Sequence, residues 1–360
     1  MATTRIVGID LARFVAIAGM VLVNVTVVMG GTEEGGGWLG SLERGMQGRA
    51  AALFVLLAGI GCSIMARDDG RLESARRRIL RRAVFLLAIG YAWQLVWSGD
   101  ILHFYGFYFL VAAACLGVSS RGLWAAAAAV VLGWLGLHMV LDYGVGWRWT
   151  DLSHPDFWTA AGQIRNLFYN GWHPLLPWCA FLLGGMALGR LDLGMKEVQM
   201  RLLLGGMTVW ALATLVSAAG KEAFMDAGAL DLFGLPNDWR HAVVLFGRSS
   251  IPPTPLYVAA AGGQAVAVLA ACLMAGSLWG GTRWARTLGA TGRMALTLYV
   301  AHVLFCLGIL EELGWPAAGG REGAAQRTAV FLILAVPSCA LWLRFFRAGP
   351  LESVMRRLCG

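Results

Sequence analysis

Ten long apolar stretches follow one another along the 360-residue chain, each close to the length a helix needs to cross a bilayer. The predicted spans are 6–30, 47–66, 83–98, 101–118, 123–141, 174–191, 202–219, 256–278, 288–310 and 326–346. Backbone polar groups in lipid have to be bonded within their own segment, so such stretches form helices. The sequence therefore predicts an all-α, polytopic membrane protein with about ten transmembrane helices.

The composition excludes the main alternatives to a membrane fold. Hydrophobic residues make up 58% of the chain and charged residues only 14%, whereas a soluble domain carries about 25% charged residues. A large soluble globule is therefore excluded, and so is intrinsic disorder, which needs low hydrophobicity and high net charge. The net charge of +8 comes from arginines that lie mostly between the spans, which indicates membrane orientation and no nucleic-acid partner.

These arginines set the predicted orientation. The link 67–82 is rich in arginine, and placing it in the cytoplasm also brings most arginines of the other links there. Both termini are then cytoplasmic, with one transmembrane domain over 1–346 and a short basic tail over 347–360. We expect a multi-pass protein of the cell (inner) membrane, and the sequence leaves an oligomer open.

Two long links, 143–173 and 220–255, are predicted on the outer side. The first carries several tryptophans, which suit a membrane interface but also a functional loop. The seven cysteines lie mostly in apolar runs, and no metal-binding spacing of Cys and His occurs. We expect neither a disulfide framework nor a metal site.

Charged side chains in the first span are costly in lipid and are therefore candidate functional residues. Asp10 and Arg13 are three residues apart and can pair on one face of the helix. Asn24 returns to the same face about 16 Å further along the axis. The three form a polar stripe along the span, although the charged pair could also serve only to hold helices together.

The ninth span carries Arg293 near its cytoplasmic end, with Thr297 on the same face. His302 lies on the opposite face from Arg293 and shares its own face with Tyr299. A single histidine in a span is more often a hydrogen-bonded packing residue than a catalyst. We therefore expect Arg293, but not His302, in a site.

Two further polar groups lie at the predicted outer ends of helices. Asp100 and His103 are three apart at the start of the fourth span, where Asp100 could orient the imidazole or simply cap the helix. His173 precedes Pro174 at the start of the sixth span, where a proline suits the first helical turn. It is a candidate general base, or part of a junction shaped by proline and tryptophan.

Several of these motifs together resemble the heparan-alpha-glucosaminide N-acetyltransferase and YeiB-like membrane proteins. The resemblance is carried by the runs 5–13, 19–24, 49–59, 99–106, 173–178 and 292–297. It spans most of the chain and rests on the order of these motifs. Many members of the wider superfamily have a histidine where this chain has Asn24. Relatives of the heparan enzyme place a catalytic histidine in the following outer loop, and this chain has none there.

The resemblance implies an integral membrane acyltransferase that moves an acyl group, expected to be acetyl, from cytoplasmic acyl-CoA to a glycan or another acceptor. Arg13 and Arg293 would bind anionic parts of the acetyl-CoA donor, with Asp10 beside Arg13. Asn24 could donate a hydrogen bond to the developing oxyanion.

The base of this reaction would be His173 or His103, with Asp100 orienting His103. Transfer is expected to be direct, since no nucleophile stands beside an evident base. The competing hypothesis is a membrane transporter or export partner for a small molecule, in which the polar stripe binds substrate or relays protons. A scaffold whose charges only pair is a third alternative.

Overall fold

The computed structural model describes residues 5–30, 37–68, 72–226, 245–315 and 319–360, and these are helical apart from links and two isolated β-bridges. The helices are α1 (Val7–Val28), α2 (Trp38–Met46), α3 (Arg49–Asp68), α4 (Leu72–Trp93), α5 (Leu102–Cys115), α6 (Ser120–His138), α7 (Ala160–Arg165), α8 (Leu175–Leu188), α9 (Lys196–Asp226), α10 (Pro255–Trp279), α11 (Arg283–Gly292), α12 (Ala295–His302), α13 (Gly320–Phe345) and α14 (Pro350–Cys359). Wide π-helical turns continue α7 over Asn166–Asn170 and α12 over Val303–Ile309.

Within the described ranges, seven helical stretches are long and apolar enough to cross a membrane. They are Val7–Val28, Trp38–Arg67, Ser120–His138, Lys196–Ala223, Pro255–Trp279, Ala295–Glu312 and Gly320–Phe345. The helices α5 and α8 are apolar but shorter, and α4 is not among the seven. The chain is thus a multi-pass membrane protein, while ten spans and the orientation stay predictions.

The predicted third span begins much earlier than expected. Residues 72–82, which we expected to be part of an arginine-rich link, form the first half of α4. Arginine is a good helix former, so a run of arginines continues a helix instead of ending it. The helix α4 packs on α5, which follows it after a short link. Gly90 permits the close approach, because a Cβ there would collide with the backbone nitrogen of His103.

The predicted ninth span, 288–310, is not one continuous helix. It is divided at Arg293 and Met294 into α11 and α12. Gly292 ends α11 against α1, where a Cβ would collide with the carbonyl oxygen of Asp10. This contact brings the break, and with it Arg293, next to the charged part of α1.

The predicted basic tail is largely helical and packs on the bundle. Glu352 of α14 is buried and accepts hydrogen bonds from the backbone nitrogens of Leu296 and Thr297, at 2.8 and 3.1 Å. The first turn of any helix leaves backbone N–H groups without partners. The carboxylate therefore caps α12 from a distant part of the chain.

Candidate functional site

Two cavities of similar size lie at opposite ends of α1. The first, which we name the basic cavity, has a volume of about 470 Å³ and lies towards the end at which α1 begins. Its charged lining consists of Arg13, Arg78, Arg82, Arg293, Arg356 and Glu352, and the rest is mainly apolar. A lining with five arginines and one carboxylate suits an anion with an apolar part.

Arg13 is held in the basic cavity by its neighbours on α1. It donates from Nη1 to Oδ1 of Asp10 at 3.1 Å, which is the ion pair that their spacing predicted. Arg5 donates from Nε to the other carboxylate oxygen at 2.6 Å. Asp10 itself is only 4% exposed. The carboxylate thus orients Arg13 and does not line the cavity.

Arg293 reaches the basic cavity from the break between α11 and α12. Its Nη2 donates to the carbonyl oxygen of Arg347 at 2.9 Å, which links the break to the chain just before α14. Because a guanidinium has five N–H donors, this bond leaves donors for a ligand.

Arg78 and Arg82 are cavity residues that sequence reasoning missed. The sequence predicts a cytoplasmic link at these positions, whereas α4 carries both residues along the cavity wall. The Nε of Arg82 is buried and has no hydrogen-bond partner in the described part of the chain. A buried donor without a partner is costly, which favours an anion at this position.

The second cavity, which we name the aromatic cavity, has a volume of about 490 Å³ and lies towards the opposite end of α1. Its lining includes Asn24, Gln47, Trp97, Asp151, Trp172, His173, Trp178 and Tyr299. The indole nitrogens of Trp172 and Trp178 are buried without a partner among the residues described. Indole rings and unpaired donors suit a partly polar organic molecule.

His173 lies immediately before Pro174, which is the N-cap of α8. The hydroxyl of Tyr108 donates to the His173 carbonyl at 2.6 Å, and the ring packs at 4.6 Å, edge to face, on Trp178. Its Nδ1 has no partner within the described ranges. Burial, and then the neighbouring His103, lower the pKa of His173 to about 3, so the ring is neutral near pH 7.

Asn24 faces the aromatic cavity and is bound to a residue that the sequence did not favour. Its Nδ2 donates to Nε2 of His302 at 3.2 Å. His302 is fully buried and is the last residue of α12. One N–H of the carboxamide is used in this bond and the second stays available to the cavity. The spacing of His302 and Tyr299 was visible in the sequence, but the contact with α1 was not.

Tyr299 and Ile101 line both cavities and form part of the wall between them. The backbone nitrogen of Ile101 donates to the Tyr299 hydroxyl at 3.0 Å, and that hydroxyl donates to Oδ1 of Asp100 at 3.3 Å. Tyr299 is 2% exposed and Ile101 is 1% exposed. The wall is therefore a packed element with its polar groups satisfied.

Asp100 and His103 lie behind this wall and are not in the lining of either cavity. Oδ2 of Asp100 accepts from Nδ1 of His103 at 3.0 Å and from its backbone nitrogen at 3.1 Å. Both alternatives for Asp100 therefore hold, since it caps α5 and also orients the imidazole. Nε2 of His103 is buried without a partner among the described residues, against Phe104 and Phe157.

The structure thus divides the predicted site residues into three groups. Arg13 and Arg293 face the basic cavity, and Asn24 and His173 face the aromatic cavity. The remaining three line neither cavity, but Asp10 binds Arg13, Asp100 binds Tyr299, and His103 binds Asp100. In the described parts of the chain, no group of three His, Cys, Asp or Glu side chains could hold a metal ion.

Comparison with known families gives two matches on different parts of the chain. Residues 5–225 match the family model described as heparan-alpha-glucosaminide N-acetyltransferase, catalytic. Residues 250–360 match a family described as proteins of unknown function, DUF418. No curated protein gives a significant match. The two family matches confirm the resemblance that the motifs carry.

Proposed function

Because the chain belongs to the heparan-alpha-glucosaminide N-acetyltransferase catalytic family, we propose that it transfers the acetyl group of acetyl-CoA to an acceptor across the membrane. The observation that carries this proposal is the pair of cavities separated by Tyr299 and Ile101. The donor enters the basic cavity and the acceptor enters the aromatic cavity. Transfer takes place at the shared wall, which has to open for the thioester to reach Asn24 and His173.

The basic cavity suits coenzyme A in charge and in polarity. Coenzyme A carries a diphosphate and a 3′-phosphate at one end and an uncharged pantetheine arm at the other. The arginines bind the phosphates, since guanidinium groups form paired, charge-assisted hydrogen bonds with them. The apolar side chains Phe54, Leu57 and Leu102 line the remainder of the cavity and suit the arm.

The aromatic cavity supplies groups for the chemical step. His173 takes the proton from the hydroxyl or amine of the acceptor, whose lone pair attacks the thioester carbonyl. The free N–H of Asn24 stabilises the oxyanion that forms. Collapse of this intermediate breaks the carbon–sulfur bond, and the CoA thiolate leaves with a proton from the imidazolium.

His173 is the preferred base over His103 because of access. His173 lines the aromatic cavity, whereas His103 lines neither cavity and its ring packs on Phe104. We assign Asp100 and His103 a positioning role, through the bond of Asp100 to Tyr299. His302 in turn positions Asn24.

The proposal keeps the predicted orientation, in which the basic cavity opens to the cytoplasm, where acetyl-CoA is made. The acyltransferase-like domain, predicted over 1–346, then lies in the cell (inner) membrane and extends through α14, which lines the basic cavity. A glycan or a small molecule is the acceptor on the other side. A fusion of green fluorescent protein to the C-terminus tests this orientation. Fluorescence supports it, while an active alkaline phosphatase fusion at the same site contradicts it.

The first experiment is calorimetric titration of the purified protein in detergent with acetyl-CoA and with CoA. The wild type is expected to bind both, and Arg13→Ala is expected to bind them at least about tenfold more weakly, since one charged hydrogen bond is lost. Asp10 keeps Arg5 as a partner in this variant, so its carboxylate is not left unpaired. Arg201→Ala, at an exposed position of α9, is the control.

The transporter hypothesis predicts a different result. A transporter that does no acyl transfer has no reason to bind acetyl-CoA or to release CoA from it. Absence of saturable binding by the folded wild type would therefore contradict the acetyltransferase. Binding that Arg13→Ala and Arg201→Ala leave equally intact would contradict the donor site in the basic cavity.

A further inference from the structure

The C-terminal helix α14, which the sequence presents as a basic tail, forms part of the wall of the basic cavity. Glu352, Met355 and Arg356 all line that cavity. They are three and four residues apart and therefore share one face of the helix. The next residue, Arg357, is not in the lining.

Glu352 fixes this face of α14 against the bundle. In addition to its two bonds to the backbone of α12, its Oε2 accepts from the Thr297 hydroxyl at 2.5 Å. The same hydroxyl accepts from the backbone nitrogen of Leu351 at 3.1 Å. Both carboxylate oxygens are thus engaged at the start of α12, where the helix dipole also favours a negative charge.

Because Glu352 holds α14 in place, Arg356 lies among the other arginines of the basic cavity. Arg356 lines the same cavity as Arg82 and Arg293, where the three positive charges repel one another. The only carboxylate in the described lining is Glu352, which is already committed to α12. Such a group of cations gains its neutralising charge from a bound anion.

The three arginines come from distant parts of the chain. Arg82 lies in the part that matches the acetyltransferase family, and Arg293 and Arg356 lie in the part that matches the family of unknown function. The two matched parts therefore build one cavity. Residues 250–360 therefore contribute to the donor site of the part that matches the acetyltransferase family.

We propose that Arg356 of α14, together with Arg82 of α4, binds a phosphate group of the acyl-CoA donor, so that the C-terminal helix completes the donor site. This inference rests on the proposed acetyltransferase function. The inference goes beyond that function because it assigns the phosphate contact to Arg82 and Arg356, which are not part of any motif in the sequence analysis. The contact lies at the charged end of the donor, away from the wall at Tyr299.

The test measures the dissociation constants of CoA and dephospho-CoA for the wild type, Arg356→Ala, Arg356→Lys and the control Arg357→Ala. Arg356→Ala is expected to bind CoA about tenfold more weakly, because one charge-assisted hydrogen bond is lost. Arg356→Lys is expected to lie between Arg356→Ala and the wild type. Arg357→Ala is expected to match the wild type, and unchanged melting temperatures in detergent verify the fold.

The two ligands identify the phosphate group. Equal weakening for CoA and dephospho-CoA assigns Arg356 to the diphosphate, and weakening for CoA alone assigns it to the 3′-phosphate. Either result supports the proposal. Titration with phosphatidylglycerol distinguishes a CoA phosphate from a lipid headgroup. If Arg356→Ala weakened the binding of phosphatidylglycerol but not of CoA, the proposal would be overturned.

Failure of this inference differs from failure of the proposed function. If the wild type binds CoA and Arg356→Ala binds it equally well, α14 is not part of the phosphate site, while the acetyltransferase stands. If the folded wild type does not bind CoA, both the phosphate site at α14 and the acetyltransferase function are contradicted.

Discussion

Asn24 and His302 are joined by a hydrogen bond of 3.2 Å although 278 residues separate them in the sequence. The bond connects the part of the chain that matches the acetyltransferase family to the part that matches the family of unknown function. It fixes the carboxamide at the aromatic cavity and leaves one of its N–H groups free. The proposed oxyanion contact of Asn24 needs a carboxamide held in this way.

Replacement of Asn24 by alanine is expected to slow CoA release from acetyl-CoA by a factor on the order of 10² to 10³, the usual effect of losing an oxyanion donor. Acetyl-CoA binding should be unchanged, because the phosphates bind in the other cavity. His302→Gln serves as the comparison, since it keeps a partner for Asn24 and should retain more activity. Loss of binding together with the rate would indicate a packing role instead.

Tyr299→Ala is expected to join the two cavities, because the tyrosine ring lines both of them. Water would then reach the thioester, so CoA release without acceptor should rise several-fold over the wild type. Tyr299→Phe keeps the ring and loses only the bonds to Ile101 and Asp100, worth about 1 kcal/mol each. The wall would not have the proposed role if both variants released CoA at the same rate.

The stability of the protein is expected to depend on pH through His173. Its pKa is about 3 in the folded state and 6.5 when unperturbed, so the unfolded chain takes up the proton first. Above pH 6.5, His173 is neutral in both states and does not lower the free energy of unfolding. As the pH falls from 6.5 towards 3, protonation of the unfolded chain lowers the free energy of unfolding by at most about 1.4 kcal/mol per pH unit.

The measurement for His173 is the melting temperature in detergent between pH 7.5 and pH 4.5. The wild type should fall more steeply than His173→Asn, which lacks the titrating group. Burial also lowers the pKa of His154, to about 4, but this residue is present in both proteins and affects them equally. Parallel curves would show that His173 is not buried as described.

Gly185→Ala is expected to destabilise the contact between α3 and α8, because a Cβ there would collide with the carbonyl oxygen of Leu56. Overpacking of this kind costs about 1–3 kcal/mol. Gly133→Ala, in the exposed middle of α6 with no atom within 4 Å of its Cβ, is the control and should be neutral or slightly stabilising. Equal melting temperatures would contradict the close packing of α3 and α8.

The candidate site was predictable where it depended on one helix. The pair of Asp10 and Arg13 and the contact of Asp100 with His103 both follow from a helical spacing of three residues. The arginines of α4 were not predicted as site residues, because a run of charges is typical of a link between spans. Arginine nevertheless favours a helix. His302 and Arg356 were missed for a long-range reason, because their partners come from distant helices.

The sequence by itself determined that this chain is a helical membrane protein. It also determined which charged side chains cost free energy in lipid and are therefore candidate functional residues. Both follow from composition and helical periodicity, which act within one segment. Only the tertiary structure decided which of these side chains share a cavity, that Tyr299 and Ile101 separate two cavities, and that α14 completes one of them. Packing between helices distant in sequence sets those relationships, because glycine contacts and a buried carboxylate fix how the helices meet.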